Sequence, residues 1–442
     1  MPFTHRVYLG WITDLATEPD PRAAWPSMRL DDRLMSDYHE TFGLLRTLGF
    51  NALSVWGLYV ARAWPVNLAD AVSPERGRRV ERLIADAHAY GLKVYAGLGV
   101  FSWGFETIIA AHPELARTNK RALCASEPRA WEWMNRVVET VFSRFPVDGV
   151  SMQSADQGRC NCSDCKHYTD AEYHALLNTR TAATIRKRWP GKTIGVNSWG
   201  MNFGDPAGLP SLKQIGVAVD YLIDVPDTSR KGGAGYRKRL IGELGAQCAF
   251  GTLGGPQVEP PQHWNRDRWL LPTPKRTAEH LRALANDGGR ACEYFFHLRA
   301  NPGDELSLHV AGRALAGPQM PWAAHLQAAV EQTYGVRKTA ARDALCDLFV
   351  RAEDAYFRHL PPDTCGTLSL EPLVNASGDG LDHPGPPVYL QRLNADQRAA
   401  YRADLTGLIS EFAALRPDVP RREKMDVIAR CLQNALADLS RA

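Results

Sequence analysis

The chain contains no apolar run approaching the ~18–20 residues of a membrane-spanning helix, so a membrane protein is not expected. It has no excess of one charge either. Its 52 basic side chains stand against 49 acidic ones, with no basic stripe to track a phosphate backbone, and nucleic acid is not an expected partner. The opening residues, MPFTHRVYLGW, lack a charged stretch followed by an apolar one; no secretory signal is read, and the cytoplasm is the expected compartment. Low-complexity tracts and repeats of 20–50 residues are absent, apart from an alternation of strand-like and helix-like segments. Cysteine is scarce, nine in all, and the odd number and the crowding between 160 and 165 argue against a disulfide framework and for reduced thiols or metal ligation.

What is present begins with size: 442 residues suffice for one large α/β domain with an accessory region, or for two to three ordinary domains. With 45% hydrophobic and 23% charged residues the composition is that of a soluble globular protein. Twelve Trp stand out; indole planes serve sugar stacking and bulky core packing alike.

The alternation can be counted. RVYLGWI (6–12) reads as a strand, and Tyr38, Phe42 and Leu45 follow at helical spacing up to a stop at Gly49. NALSVWGL (51–58), a helix closed by Gly91, and KVYAGLGVF (93–101) continue the pattern. VDGVSMQS (147–154), KTIGVNSW (192–199), AVDYLIDV (218–225), AQCAFGTL (246–253) and RACEYFFHL (290–298) supply five more strands. Eight β-runs separated by helical segments over roughly 310 residues predict an α/β fold, a (β/α)8 TIM barrel over 1–318, with the doubly wound sheet as the alternative. Beyond Pro318 helical periods dominate, so 319–442 is expected to be a helical C-terminal region packed on the barrel.

In such a barrel the chemistry sits at the C-terminal strand ends. Those ends supply Trp11, Trp56, Trp103, Asn197, Trp199, Tyr294 and His297 as candidates for binding a sugar, and Asp156, Asp224 and Glu293 as candidate reacting carboxylates. Cleaving a glycosidic bond needs an acid to protonate the leaving oxygen and a second carboxylate as nucleophile or water-activating base. Asp156, closing an apolar fourth strand where desolvation would raise its pKa, is the first choice for the acid, with Asp224 or Glu293 as its partner. Capping of a loop is the alternative role for Asp156, and ion pairing or hydroxyl binding for the other two.

The stretch RCNCSDCKH places Cys160, Cys162, Cys165 and His167 within eight residues. Thiolates in a Cys-x-Cys-x2-Cys pattern plus one further ligand satisfy tetrahedral zinc. Cys124, in the preceding βα loop, is favoured over His167 as that ligand. A redox Cys162–Cys165 pair and an iron–sulfur site are the alternatives, although neither the surroundings nor the spacing matches the common forms.

The segment 112–165 resembles a bacterial group of barrels related to the alpha-glucuronidase and beta-hexosaminidase-like glycoside hydrolases. The residues that carry the resemblance are His112-Pro113-Glu114, Leu123-Cys124 with Pro128, and Asp156 ahead of Cys160, Cys162 and Cys165. It implies a sugar-cleaving barrel with a cysteine-rich loop beside the strand-four carboxylate. The hexosaminidase-like enzymes end that strand in Asp-Glu, whereas this chain has Asp156-Gln157, so catalysis assisted by a substrate N-acetyl group is not carried over. The expected function is a glycoside hydrolase acting on an oligosaccharide or glycan end, with a structural zinc at Cys124, Cys160, Cys162 and Cys165. The competing expectations are a glycan-binding barrel without turnover and a zinc-dependent hydrolase.

Overall fold

The computed structural model describes residues 2–12, 30–60, 63–198, 201–225, 229, 232–254, 271–295, 302–358 and 393–441. Eight strands, His5–Trp11 (β1), Ala52–Trp56 (β2), Lys93–Gly99 (β3), Gly149–Gln153 (β4), Thr193–Asn197 (β5), Tyr221–Asp224 (β6), Ala249–Gly254 (β7) and Ala291–Phe295 (β8), close into one parallel barrel, β8 pairing back with β1. All eight expected strands are there, in the expected order. The helices between them include Asp32–Thr47 (α1), Pro74–Ala89 (α2), Pro128–Arg144 (α4, after the short α3, Glu106–Ala111), Asp170–Arg188 (α5), Leu209–Ala218 (α6), Tyr236–Leu244 (α7) and Pro274–Asn286 (α8). Local chemistry sets their limits. Asp31 caps α1 by accepting from the Leu34 amide, Thr169 and Glu172 form a reciprocal cap on α5, and Gly49 and Gly91 take the left-handed conformation (φ 81° and 72°) that ends α1 and α2.

Large and small residues alternate inside the barrel. The Trp56 indole lies where a side chain at Gly97 would stand, and the Tyr221 ring covers Gly195 in the same way. Trp56 is also held edge-on by Trp103, with ring centroids 5.5 Å apart, so it has no room to yield. Gly97→Ala should therefore cost roughly 1–3 kcal/mol of stability by overpacking, read as a lower urea midpoint at unchanged slope. Gly242→Ala, on α7 with no neighbour within 4 Å of the added methyl, is the control and should be neutral or slightly stabilising.

After β8, Glu305–Ala316 (α9) completes the ring of helices, and Trp322–Tyr334 (α10), Thr339–Phe357 (α11), Ala395–Leu415 and Arg422–Arg441 follow. They form a second apolar cluster in which Leu326, Phe349, Phe412 and Leu432 pack with Leu306 and Val310 of α9. The fully buried carboxylate of Glu353 on α11 accepts from the Lys275 and Arg276 amides at 3.0 and 2.8 Å, latching these helices onto the first turn of α8.

Candidate active site and thiol cluster

The C-terminal mouth of the barrel is organised around the loops after β3 and β4. Phe101, just past β3, has φ 62°, an uncommon left-handed conformation for a side chain of that size. It is held by the Trp131 ring, 4.3 Å between centroids, and by its own carbonyl, which accepts from the Leu123 amide at 2.8 Å. The turn presents the Ser102 hydroxyl to the strand-four loop, where it accepts from the Gln157 amide at 2.7 Å. Asn119 Nδ2 donates to the Gln157 carbonyl at 2.7 Å, and Gln157 Nε2 donates to Asp156 Oδ2 at 2.9 Å. Asp156 is thus half-buried at the mouth, with one carboxylate oxygen steadied by its neighbour.

Asp224 and Glu293 do not join it in one cleft. Side chains alternate along a strand, and with Tyr221 and Ile223 inside the barrel, Asp224 falls on the outer face. There it is buried, and its Oδ2 accepts from the Ser229 amide at 2.8 Å, a contact that shapes the loop after β6. Glu293 faces the barrel axis but sits below the mouth, 0% exposed, with Oε1 accepting from the Tyr221 hydroxyl at 2.8 Å. Burial pushes its carboxyl up to about 7, against the opposing influence of Ser151 and Tyr221. A carboxyl of ordinary pKa when unfolded and about 7 when folded contributes stability below the lower value and loses it as pH rises between the two. Glu293→Gln should consequently flatten the stability profile between pH 4.5 and 7 and gain on the order of 3 kcal/mol at pH 8, read by denaturant titrations at both ends.

The expected sugar platforms divide as well. Trp56 (2% exposed) is built into the barrel wall and Trp103 (9%) lies edge-on against it, nearer the opening. Asn197 ends β5, largely buried. Tyr294 is fully buried on the outer face, packed against Phe50 at 6.3 Å in the layer between strands and helices, which removes it from any ligand in the mouth. Trp11 is the last residue of β1. Trp199 and His297 lie outside the described residues.

Cys124, Cys160, Cys162 and Cys165 converge, all four Sγ atoms within 4.8 Å of one another and all buried. Cys124 Sγ is 3.7 Å from that of Cys162 and 3.8 Å from that of Cys165. These separations are too long for a disulfide and match the edge, about 3.8 Å, of a tetrahedron with zinc–sulfur bonds of about 2.3 Å. His167 is exposed, its ring tilted against Tyr168, and takes no part. The His112-Pro113-Glu114 stretch explains how Cys124 arrives: Pro113–Leu115 is a single turn whose Leu115 carbonyl accepts from the Cys124 amide at 2.7 Å. Hydroxyls line the thiols, Ser126 at 3.0 Å from Cys124 and 3.6 Å from Cys162, and Thr118 at 3.3 Å from Cys160. Burial opposes ionisation of Cys162, but hydrogen bonds from Ser126, the Asp164 backbone and the adjoining thiols outweigh it and bring the group down to about 6. Arg117, paired with Asp164 at 2.6 Å, places its positive charge beside Cys124 and Cys162. Four closed thiol ligands with hydroxyl and cationic support fit a structural metal ion, and a fourth protein ligand leaves no position for a reacting water.

No family model matches the chain, and no curated protein does. Among solved structures it is similar to a GH138 enzyme targeting pectin rhamnogalacturonan II, at 10% identity and a TM-score of 0.62 over 99% of this chain and 71% of that one. A mutant O-GlcNAc hydrolase of Thermobaculum terrenum aligns at 12% identity and a TM-score of 0.51, covering 94% of this chain and 77% of the other. CpGH84B aligns at 10% and 0.51, over 99% and 66%. The scaffold is one used by glycoside hydrolases. At such identities the likeness is of fold, and function has to be argued from the site.

On this barrel the β3 and β4 loops form one assembly that carries both Asp156 and the thiol cluster. Ser102, Asn119 and Gln157, which fix the carboxylate, carry no signal in composition or periodicity. Their role comes from the turn at Phe101, and a backbone dihedral is not written in residue types. Among the described residues no helix is long and apolar enough to cross a membrane.

Proposed function

We propose that the protein is a glycoside hydrolase acting at the C-terminal mouth of the barrel on an oligosaccharide or glycan end, with Asp156 as the acid that protonates the departing oxygen. The observation that carries this reading is the position of Asp156: the one carboxylate of the three candidates that reaches solvent, steadied by Gln157 on a loop tied to Ser102 and Asn119. The barrel shared with glycoside hydrolases supports it. Asp224 and Glu293, sealed from solvent, are poor partners in this arrangement. The second carboxylate is better sought at Asp14 and Glu259, which follow β1 and β7 in the sequence. The thiol cluster would hold zinc as a structural ion that keeps the β3 and β4 loops together.

Purified protein incubated with a panel of aryl glycosides, pectin fragments and N-acetylhexosamine-bearing oligosaccharides should release sugar from at least one class. A second reading, a glycan-binding barrel without turnover, draws on the burial of Asp224 and Glu293. It predicts saturable binding on a glycan array with no product from the bound sugar, an outcome that would displace the hydrolase.

A further inference from the structure

Three polar atoms on the inner wall of the barrel find no hydrogen-bond partner among the described residues: Ser54 Oγ on β2, Ser151 Oγ on β4 and Glu293 Oε2 on β8. All three residues are 0% exposed. The pairing register brings them to one height. Ser54 pairs through Tyr95 with Gly149, and the strand tilt of an eight-stranded barrel lifts the residue two further on, Ser151, to the level of Ser54. The same step from Ser151 through Gly195 and Tyr221 reaches Ile223, and from Ile223 through Gly251 and Ala291 it reaches Glu293. One more step, through Val7 and Ala52, returns to Ser54. Ser54, Ser151, Ile223 and Glu293 are therefore one of the four-residue layers that fill such barrels, and three of its members are polar. From two residues lower on β6, the Tyr221 hydroxyl reaches up to Glu293 Oε1, leaving Oε2 open.

A buried polar atom left without a partner is destabilising, and three at one level make a strong case for a guest. Ser151 lies near enough to the Glu293 carboxyl to favour its charged form, yet no hydrogen bond of good geometry joins the two, which leaves both with capacity for a shared water. We infer that one ordered water molecule is bound on the barrel axis between Ser54, Ser151 and Glu293. The chemistry of the layer selects water over a metal ion. Hard cations take six or more oxygens, while this layer offers three, the usual number for a buried water. The surrounding groups, Ser151, Tyr221 and Tyr95, bring no second carboxylate to help hold a cation. The guest gives the carboxyl a further hydrogen-bond partner, so Glu293 serves as a water-linked plug beneath the mouth. This assignment is independent of whether the mouth hydrolyses glycosides.

A crystal structure of the wild-type protein at about 1.5 Å should show a single peak within 2.6–3.2 Å of the Ser54, Ser151 and Glu293 oxygens. In the Ser54→Ala, Ser151→Ala double variant the peak should vanish. No density at the centre of the layer in the wild type, with the two hydroxyls turned to other partners, overturns the inference. So does a peak ringed by five or more oxygens at 2.3–2.5 Å, which would be a cation.

Discussion

Replacing Asp156 by Asn should lower turnover of a natural glycan by about 10²–10⁴-fold, the usual contribution of a general acid, while leaving the fold intact. The substitution is mild, since the carbonyl oxygen of the introduced amide can still accept from Gln157 Nε2 and the ties through Ser102 and Asn119 involve the backbone of the neighbouring residue. What it removes is the proton for the leaving oxygen. The loss should accordingly depend on the leaving group: severe for an alkyl or sugar alcohol, which departs only when protonated, and slight for a dinitrophenyl glycoside, whose phenolate departs unaided. An equal loss on both substrates would assign Asp156 to nucleophilic or base chemistry. Unchanged turnover on both would move the acid elsewhere, with Asp14 and Glu259 next to be replaced.

The strands could be read from the sequence because in a closed parallel barrel both faces of each strand are buried, one by the interior and one by helices, and the result is a short apolar run bounded by turns. That same double burial hid the facing of the candidate carboxylates. In Tyr221–Asp224, and around Glu293 and Tyr294, apolar residues occupy both faces, so no hydrophobic contrast tells inward from outward. Asp224, Glu293 and Tyr294 thus shared a shortlist although they belong to three environments: a loop-shaping contact, the barrel axis and the helix layer. The thiol site was legible for the opposite reason. Ligand chemistry demands particular residue types, and the order of loops in a barrel puts Cys124 beside Cys160, Cys162 and Cys165.

The other large effect is expected from that cluster. Wild-type protein should carry about one zinc per chain by elemental analysis and Cys162→Ser much less, because a structural site depends on all four ligands. Thiolates must shed their protons to bind metal, so a strong chelator or mild acid should strip the ion. Its loss should be felt locally. Cys124 anchors the loop that leaves Leu115 and enters α4, while the other three thiols lie in the loop that carries Asp156. The barrel itself rests on the large apolar cluster of strands and helices and should stay folded. Hydrogen exchange should therefore quicken over 116–127 and 155–168, with the strands protected as before. Ser126→Ala, which removes a hydroxyl from both Cys124 and Cys162, should leave the ligands in place yet weaken zinc retention by about 10–100-fold, measured by competition with a chromogenic chelator. Activity at the mouth should fall along with the ion, since Asp156 sits on the loop that a bound metal would keep against Ser102 and Asn119. A metal-free protein with four titratable thiols, unaltered exchange in both loops and full activity would leave the convergence of these cysteines without a structural role.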